Sequence, residues 1–191
     1  LEMVAAYGVF ANGGYLKQPY FIEKIIDVKG RKIKQNFSVT NEETPRIIDP
    51  RNAFIMNSLL QEVVNTGTAR KAKRLKREDI AGKTGTTNDL VDAWFAGFNP
   101  DIVTITWMGF DQPRTLGKYE SGSRAALPIW IDYMKPIIKE YPTKILETPD
   151  GIIPLKINPK NGMLADKDEN GIYEYFYDEF LPDSNAYFLL N

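Results

Sequence analysis

The 191-residue chain contains no cysteine and no histidine. Without cysteine there is no disulfide framework, no thiolate zinc site and no cysteine nucleophile. Without histidine there is no Ser-His-Asp relay, no imidazole base and little basis for a transition-metal site. Any chemistry must be carried by Lys, Asp, Glu, Tyr, Ser or Thr. An excess of one charge is also missing. Lys and Arg number 24 against 25 Asp and Glu, a formal charge of −1, which argues against a chain-wide binder of nucleic acid or other polyanions. No apolar run approaches the ~18 residues that span a bilayer, and neither a signal peptide nor an initiator Met is present. The lack of cysteine leaves the compartment open, because an oxidising compartment permits disulfides without requiring them.

What is present is enough apolar sequence, 43%, for one compact domain with a real core. Leu1, Val4, Tyr7, Gly8 and Ala11 recur at helical spacing, widened by Met3 and Phe10, until Asn12-Gly13-Gly14 stops the pattern. No capping residue precedes Leu1, so polypeptide before it is expected. Phe21 to Ile26 and Lys32 to Lys34, joined by Asp27-Val28-Lys29-Gly30, predict a β-hairpin. Pro19 and the polar second strand favour an exposed edge. Asp49-Pro50 opens a helix that Asn65-Thr66-Gly67 closes. Its apolar face is Ala53, Met56, Leu60 and Val63, flanked by Phe54, Ile55, Leu59 and Val64.

From Arg70 to Arg77 six of eight residues are basic. The plain reading is a solvated face, since Ala69, Ala72 and Leu75 fall on one side; the alternative is a phosphate or membrane-surface patch. Ile80 to Thr87, Ala93 to Phe98 and Ile102 to Phe110 are strand-like. Connections as short as Asn99-Pro100-Asp101 force an antiparallel meander. Arg124 to Tyr141 reads as a helix that Pro136 should kink or split. Helix, hairpin, helix, meander and helix together predict an α+β fold, an antiparallel sheet covered by helices. Beyond Pro142 the pattern weakens. Turn signals punctuate it, and the aromatic cluster of Tyr173, Tyr175, Phe176, Tyr177 and Phe180 suggests a tail that packs on the rest.

The segment that carries chemistry is Ala81-Gly82-Lys83-Thr84-Gly85-Thr86-Thr87. A phosphate-binding P-loop is excluded: Arg77 stands where that motif needs its first glycine, and turn and strand follow instead of a helix. The alternative is Lys-Thr-Gly on a strand facing a cleft. Alternation places Thr84 and Thr86 on one side, so two hydroxyls can converge on one carboxylate. Gly85, lacking Cβ, lets an extended peptide lie against the strand. Lys83 supplies a fixed cation, and the Thr86 amide can contribute to an oxyanion hole. Asp89 and Asp92 are expected to structure the turn after the motif, with no metal site. Trp94 and Trp107 are expected in the core of the meander, the alternative being platforms for substrate. Tyr119 and the loop Gly117 to Gly122 either border the cleft or, as such loops more often do, carry only exposed turns, and none of them is taken as a site residue.

Lys83 to Asp89, then Asp92-Ala93-Trp94-Phe95 with Gly97-Phe98, then Trp107 to Asp111, resemble the later part of the transpeptidase domain of class A penicillin-binding proteins. Leu1 to Tyr7, Phe10 to Gly14, Gly67-Thr68-Ala69 and Ala126 to Trp130 fit the same family. The resemblance covers about residues 1–141 well and 142–191 loosely. It implies that 1–141 is the C-terminal part of such a domain and 142–191 an extension packing on it.

Serine enzymes of this kind use Ser-x-x-Lys, Ser-x-Asn and Lys-Thr-Gly. Ser38, Ser58, Ser121, Ser123 and Ser184 are the only serines, and none has Lys three residues on or Asn two residues on. The first two motifs are therefore expected in polypeptide before Leu1. The resemblance implies a seryl acyl-enzyme resolved by an amine to form a peptidoglycan cross-link, with no cofactor and no metal. It makes Lys83 and Thr86 catalytic, and Thr84, Gly85, Thr86 and Thr87 substrate-binding. The implied partners are stem peptides ending in D-Ala-D-Ala, β-lactams and the remainder of the same domain, with no nucleic acid. A membrane would be reached only through an anchor outside this chain, on the periplasmic face of a bacterial inner membrane. The parent would also carry a glycosyltransferase, and this chain alone would be inactive. The alternatives are a serine β-lactamase or penicillin-sensing domain, and a non-catalytic interaction module.

Overall fold

A computed structural model describes residues 1–35, 44–165 and 170–183 of the chain. Ser38 and Ser184 lie outside the described residues. The element order begins with α1 (Glu2–Ala11), β1 (Lys24–Ile26), β2 (Lys32–Gln35) and α2 (Pro50–Asn65). It continues with β3 (Ala81–Thr86), β4 (Ala93–Phe98), β5 (Val103–Met108) and α3 (Leu127–Ile137), and ends with β6 (Ile152–Ile157) and β7 (Ile172–Tyr177).

Local chemistry sets most boundaries. The Asp49 side chain accepts from the Arg51 N–H and Pro50 occupies the first turn of α2, a cap that satisfies one orphan donor where proline loses none. At the end of α1 the left-handed positions fall on Gly13 and Gly14. Asn12 instead uses its side chain, bonding both the N–H and the carbonyl of Tyr15. The β1–β2 hairpin is antiparallel and exposed, and shorter than the pattern predicted, since Phe21 to Glu23 stay outside the strand.

The centre is an antiparallel sheet in the order β3-β4-β5, the expected meander. Directly paired residues share a face. Thr84, Phe95 and Ala93 thus belong to one face, and Gly85, Trp94, Trp107 and Phe98 to the other. The Phe95 face is covered by α3 and the turn before it, through Leu127, Trp130, Ile131 and Met134. The Trp130 ring meets Phe95 edge-on at 5.0 Å, and its N–H donates to the Thr104 carbonyl. Gly97 leaves that room, since a Cβ there would sit 2.6 Å from the Trp130 ring. The Phe98 end of the other face is covered by α1, with Tyr7 6.2 Å from Phe98. Between them α2 gives Leu60 to one cluster and Val64 to the other. Leu59, read as part of its apolar face, is exposed, and Asn57 is buried instead.

α3 runs through Pro136 for one further residue and passes into a 3₁₀ turn, Ile138–Glu140. A π-helical turn, Gly122–Ala126, precedes it. Beyond Pro142 the sequence reading missed a second antiparallel hairpin, β6–β7. Pro154 inside β6 breaks the strand signal there. This hairpin packs on α2: Tyr175 meets Phe54 edge-on at 4.9 Å, and Arg51 bonds Glu179 at 2.8 Å.

Candidate active site along strand β3

β3 lies at one end of its sheet and pairs only with β4 among the described residues. Its outer edge therefore presents backbone donors and acceptors without a strand partner. The strand sinks at its start and surfaces at Lys83. Gly82 permits the buried part, since a Cβ there would come within 2.7 Å of the Ala96 carbonyl oxygen and of the Phe95 ring. Gly85 is backed by Trp94, whose Cβ lies 3.1 Å from the position a side chain would take.

Thr84 and Thr86 share a face, and each hydroxyl has one partner from a distant segment. Thr84 Oγ1 lies 2.7 Å from Thr68 Oγ1. Thr86 Oγ1 accepts from the Gly122 N–H at 3.0 Å. Lys83 is on the other face, and its ammonium donates to the Thr84 carbonyl at 2.9 Å. The Thr87 hydroxyl accepts from the Asp92 N–H at 2.8 Å. Thr87 thus closes the turn and stands apart from the pair.

Neither Thr68 nor Gly122 was picked out as a site residue by sequence. Thr68 arrives because α2 ends in a tight reversal: Gly67 N–H reaches the Glu62 carbonyl and Ala69 N–H the Val63 carbonyl. A Cβ on Gly67 would lie 2.9 Å from Val63 Cα. The turn that follows, Arg70–Leu75, points its cations outward over buried Ala72, so the solvated-face reading holds for Arg70 to Lys76 but fails for Arg77, whose side chain is 10% exposed and turned inward to Asp79. Lys71 crosses to the Ser123 carbonyl at 3.4 Å, linking this turn to the loop that bears Gly122. Gly122 is clamped: a Cβ would lie 2.4 Å from the Trp94 carbonyl oxygen and 2.5 Å from that of Gly85. The loop Gly117 to Gly122 therefore borders β3, and the reading of it as merely exposed turns is incomplete. The signal available in sequence was a glycine followed closely by Ala125-Ala126, small residues that allow such close approach.

The expected burial of Trp107 is not observed; it is 44% exposed. α1 covers only the Phe98 end of that face, so the Gly85 end stays open. There the Trp107 ring packs 6.0 Å from Trp94, and its N–H donates to the Asp92 carboxylate at 2.8 Å. Asp92 thereby holds the end of the meander, while Asp89 takes a left-handed conformation in the turn.

Upstream, Asp79 is 2% exposed and receives two bonds from Arg77, at 2.8 and 2.5 Å. Burial pushes the Asp79 carboxyl up, but the Arg77 guanidinium and the Lys144 N–H outweigh it and hold the group below its ordinary value. Arg77 also donates to the carbonyls of Ile138, Tyr141 and Pro142, tying the end of α3 to the start of β3. Among the described residues no group of three or more acidic side chains is placed to hold a metal, and no helix is long and apolar enough to cross a membrane.

The family model for the penicillin binding protein transpeptidase domain matches residues 1–135. The chain belongs to this transpeptidase domain family. It is 50% identical over 154 residues to penicillin-binding protein 1A of Neisseria lactamica, covering 80% of this chain and 19% of that protein. Against penicillin-binding protein 1A of Pseudomonas aeruginosa it is 39% identical, covering 96% of this chain and 28% of the relative. The crystal structure of penicillin-binding protein 1A from Haemophilus influenzae superposes with a TM-score of 0.86 at 34% identity, over 95% of this chain and 32% of that one. The penicillin-binding protein PonA1 of Mycobacterium tuberculosis, at 23% identity, 76% coverage of this chain and 40% of its own, and a TM-score of 0.62, shares the fold. The chain thus spans between a fifth and a third of these penicillin-binding protein 1A relatives, and its α+β architecture is that of their transpeptidase domains.

Proposed function

We propose that this chain supplies the substrate strand of a peptidoglycan D,D-transpeptidase that β-lactams acylate. The observation that carries the reading is the pair of hydroxyls, Thr84 and Thr86, on one face of a strand whose outer edge has no strand partner among the described residues, in a member of the transpeptidase domain family. A stem peptide ending in D-Ala-D-Ala would dock antiparallel along β3. Its C-terminal carboxylate would accept from both hydroxyls, and Gly85 would keep the approach clear. The Thr86 N–H would be one donor to the oxyanion.

The nucleophile is a serine in polypeptide outside this chain, since no serine here has the required Ser-x-x-Lys spacing. Its oxygen bonds to the carbonyl carbon of the penultimate D-Ala, the terminal D-Ala leaves as the amine, and a neighbouring peptide's amine then displaces the serine to form the cross-link. Lys83 holds the hydroxyl of the Ser-x-Asn serine and keeps the proton path in the right state. Thr87 supports this strand by closing its turn. Residues 142–191 form an extension on the domain made by 1–141. The parent polypeptide carries the membrane anchor and works at the periplasmic face.

The test uses the full-length parent protein and a fluorescent penicillin. Wild type should form a stable adduct, and Lys83→Ala should lose most acylation while its melting temperature stays unchanged. Acylation of Lys83→Ala at the wild-type rate would remove the role given to Lys83. Turnover of the wild-type adduct within minutes would point to a β-lactamase instead.

A further inference from the structure

We infer that Thr68 is a positioning residue: it sets the Thr84 hydroxyl as a hydrogen-bond donor, and so makes the β3 subsite select a carboxylate over a neutral chain end. The inference rests on β3 being the carboxylate-binding strand, as proposed above.

The argument is one of donor and acceptor counting. A hydroxyl has one proton to give and lone pairs to accept with, an amide N–H only donates, and an ionised carboxylate only accepts. The Gly122 N–H donates to Thr86 Oγ1, so it occupies a lone pair there and leaves the Thr86 proton free to turn outward. Thr84 must present its proton in the same way if both hydroxyls are to serve one carboxylate. Its oxygen must then accept from the partner 2.7 Å away, which is Thr68 Oγ1. Thr68 is thus the counterpart of Gly122: each fills an acceptor position on one threonine and frees that threonine's proton for the ligand. Donation in series also polarises the receiving hydroxyl, so its own bond to an anion strengthens. A neutral amide or ester loses the charge-assisted part of both bonds.

The placement is built in rather than incidental. Gly67 makes the reversal after α2 tight enough to return Thr68 to β3. Ala69 and Ala72, both fully buried, pin the turn against the core directly behind it.

The experiment is again on the full-length protein, comparing acylation rates for a penicillin and for its methyl ester in wild type, Thr68→Val, Thr68→Ser and Thr84→Val. Valine keeps the shape of threonine and removes the hydroxyl. Thr68→Val should lower the rate with the free carboxylate by about three- to tenfold, the range for one neutral hydrogen bond. The ester rate should change little, so the preference contracts, and Thr68→Ser should restore it. An equal loss on both compounds, or an unchanged preference in Thr68→Val while Thr84→Val abolishes it, would overturn the role of Thr68 and leave the strand reading standing. Failure of the wild-type protein to take penicillin would sink both. Should Thr68→Val fold poorly, Thr68→Ala with its serine counterpart supplies the same comparison.

Discussion

Two residues four positions apart, Lys83 and Asp79, carry different physical jobs. Lys83 is exposed and, among the described residues, bound only through the Thr84 carbonyl, so it can be exchanged with little effect on the fold. Asp79, four residues earlier, is the opposite case, a buried carboxylate answered by a two-bond guanidinium. Removing one partner of such a pair leaves the other uncompensated, and Asp79→Asn should cost about 3–5 kcal/mol at neutral pH. The pH dependence follows from the depressed carboxyl. A group whose folded pKa lies below its unfolded value, near 3.9, contributes fully above that value. It loses the contribution as pH falls through the folded pKa. Urea unfolding at several pH values should show the gap between wild type and Asp79→Asn narrowing below about pH 4. A constant gap would mean that Asp79 is not held as an anion by Arg77.

At the scale of elements, the position of β3 depends on two segments that press on it from different parts of the chain. The loop before α3 approaches so closely that only glycine fits at Gly122, with backbone oxygens of Trp94 and Gly85 where a Cβ would stand. Backbone cannot swing aside as a flexible side chain can. Gly122→Ala should therefore destabilise the chain by about 1–3 kcal/mol, seen as a lower urea midpoint with an unchanged slope. An alanine variant as stable as wild type would show that the loop is not clamped there. The elements themselves were largely legible. Asp49-Pro50 announces α2 and the short Asn99-Pro100-Asp101 link announces an antiparallel pair, because caps and tight turns are decided by neighbours in sequence. β6–β7 escaped because Pro154 and the turn residues around it break the alternation by which strands are recognised. The second strand was seen only as a cluster of aromatics.

For the whole molecule the proposed reading divides the labour between this chain and the rest of its parent. The chain covers 28% of its Pseudomonas relative and matches the transpeptidase family over residues 1–135, yet contains only the Lys-Thr-Gly part of a three-part motif set. Incubating the isolated 191-residue chain with penicillin and measuring its intact mass should therefore show no adduct. A covalent adduct would refute the placement of the nucleophile elsewhere. The Gly85 end of the sheet stays open, and Trp107 lies uncovered there, because α1 reaches only the Phe98 end.

The absence of cysteine and histidine, the Lys83-Thr84-Gly85 motif and its strand, and the shared face of Thr84 and Thr86 were determined by the sequence alone, since each depends on composition or on alternation along a single segment. Tertiary structure decided which groups complete them. Thr68 lies 16 residues from Thr84 and Gly122 lies 36 from Thr86, and no local periodicity connects residues that far apart. Only the packing of α2 and of the loop before α3 against one edge strand brings those partners within hydrogen-bond range. That packing is set by the volume of buried side chains such as Phe95 and Trp130, which no short motif encodes.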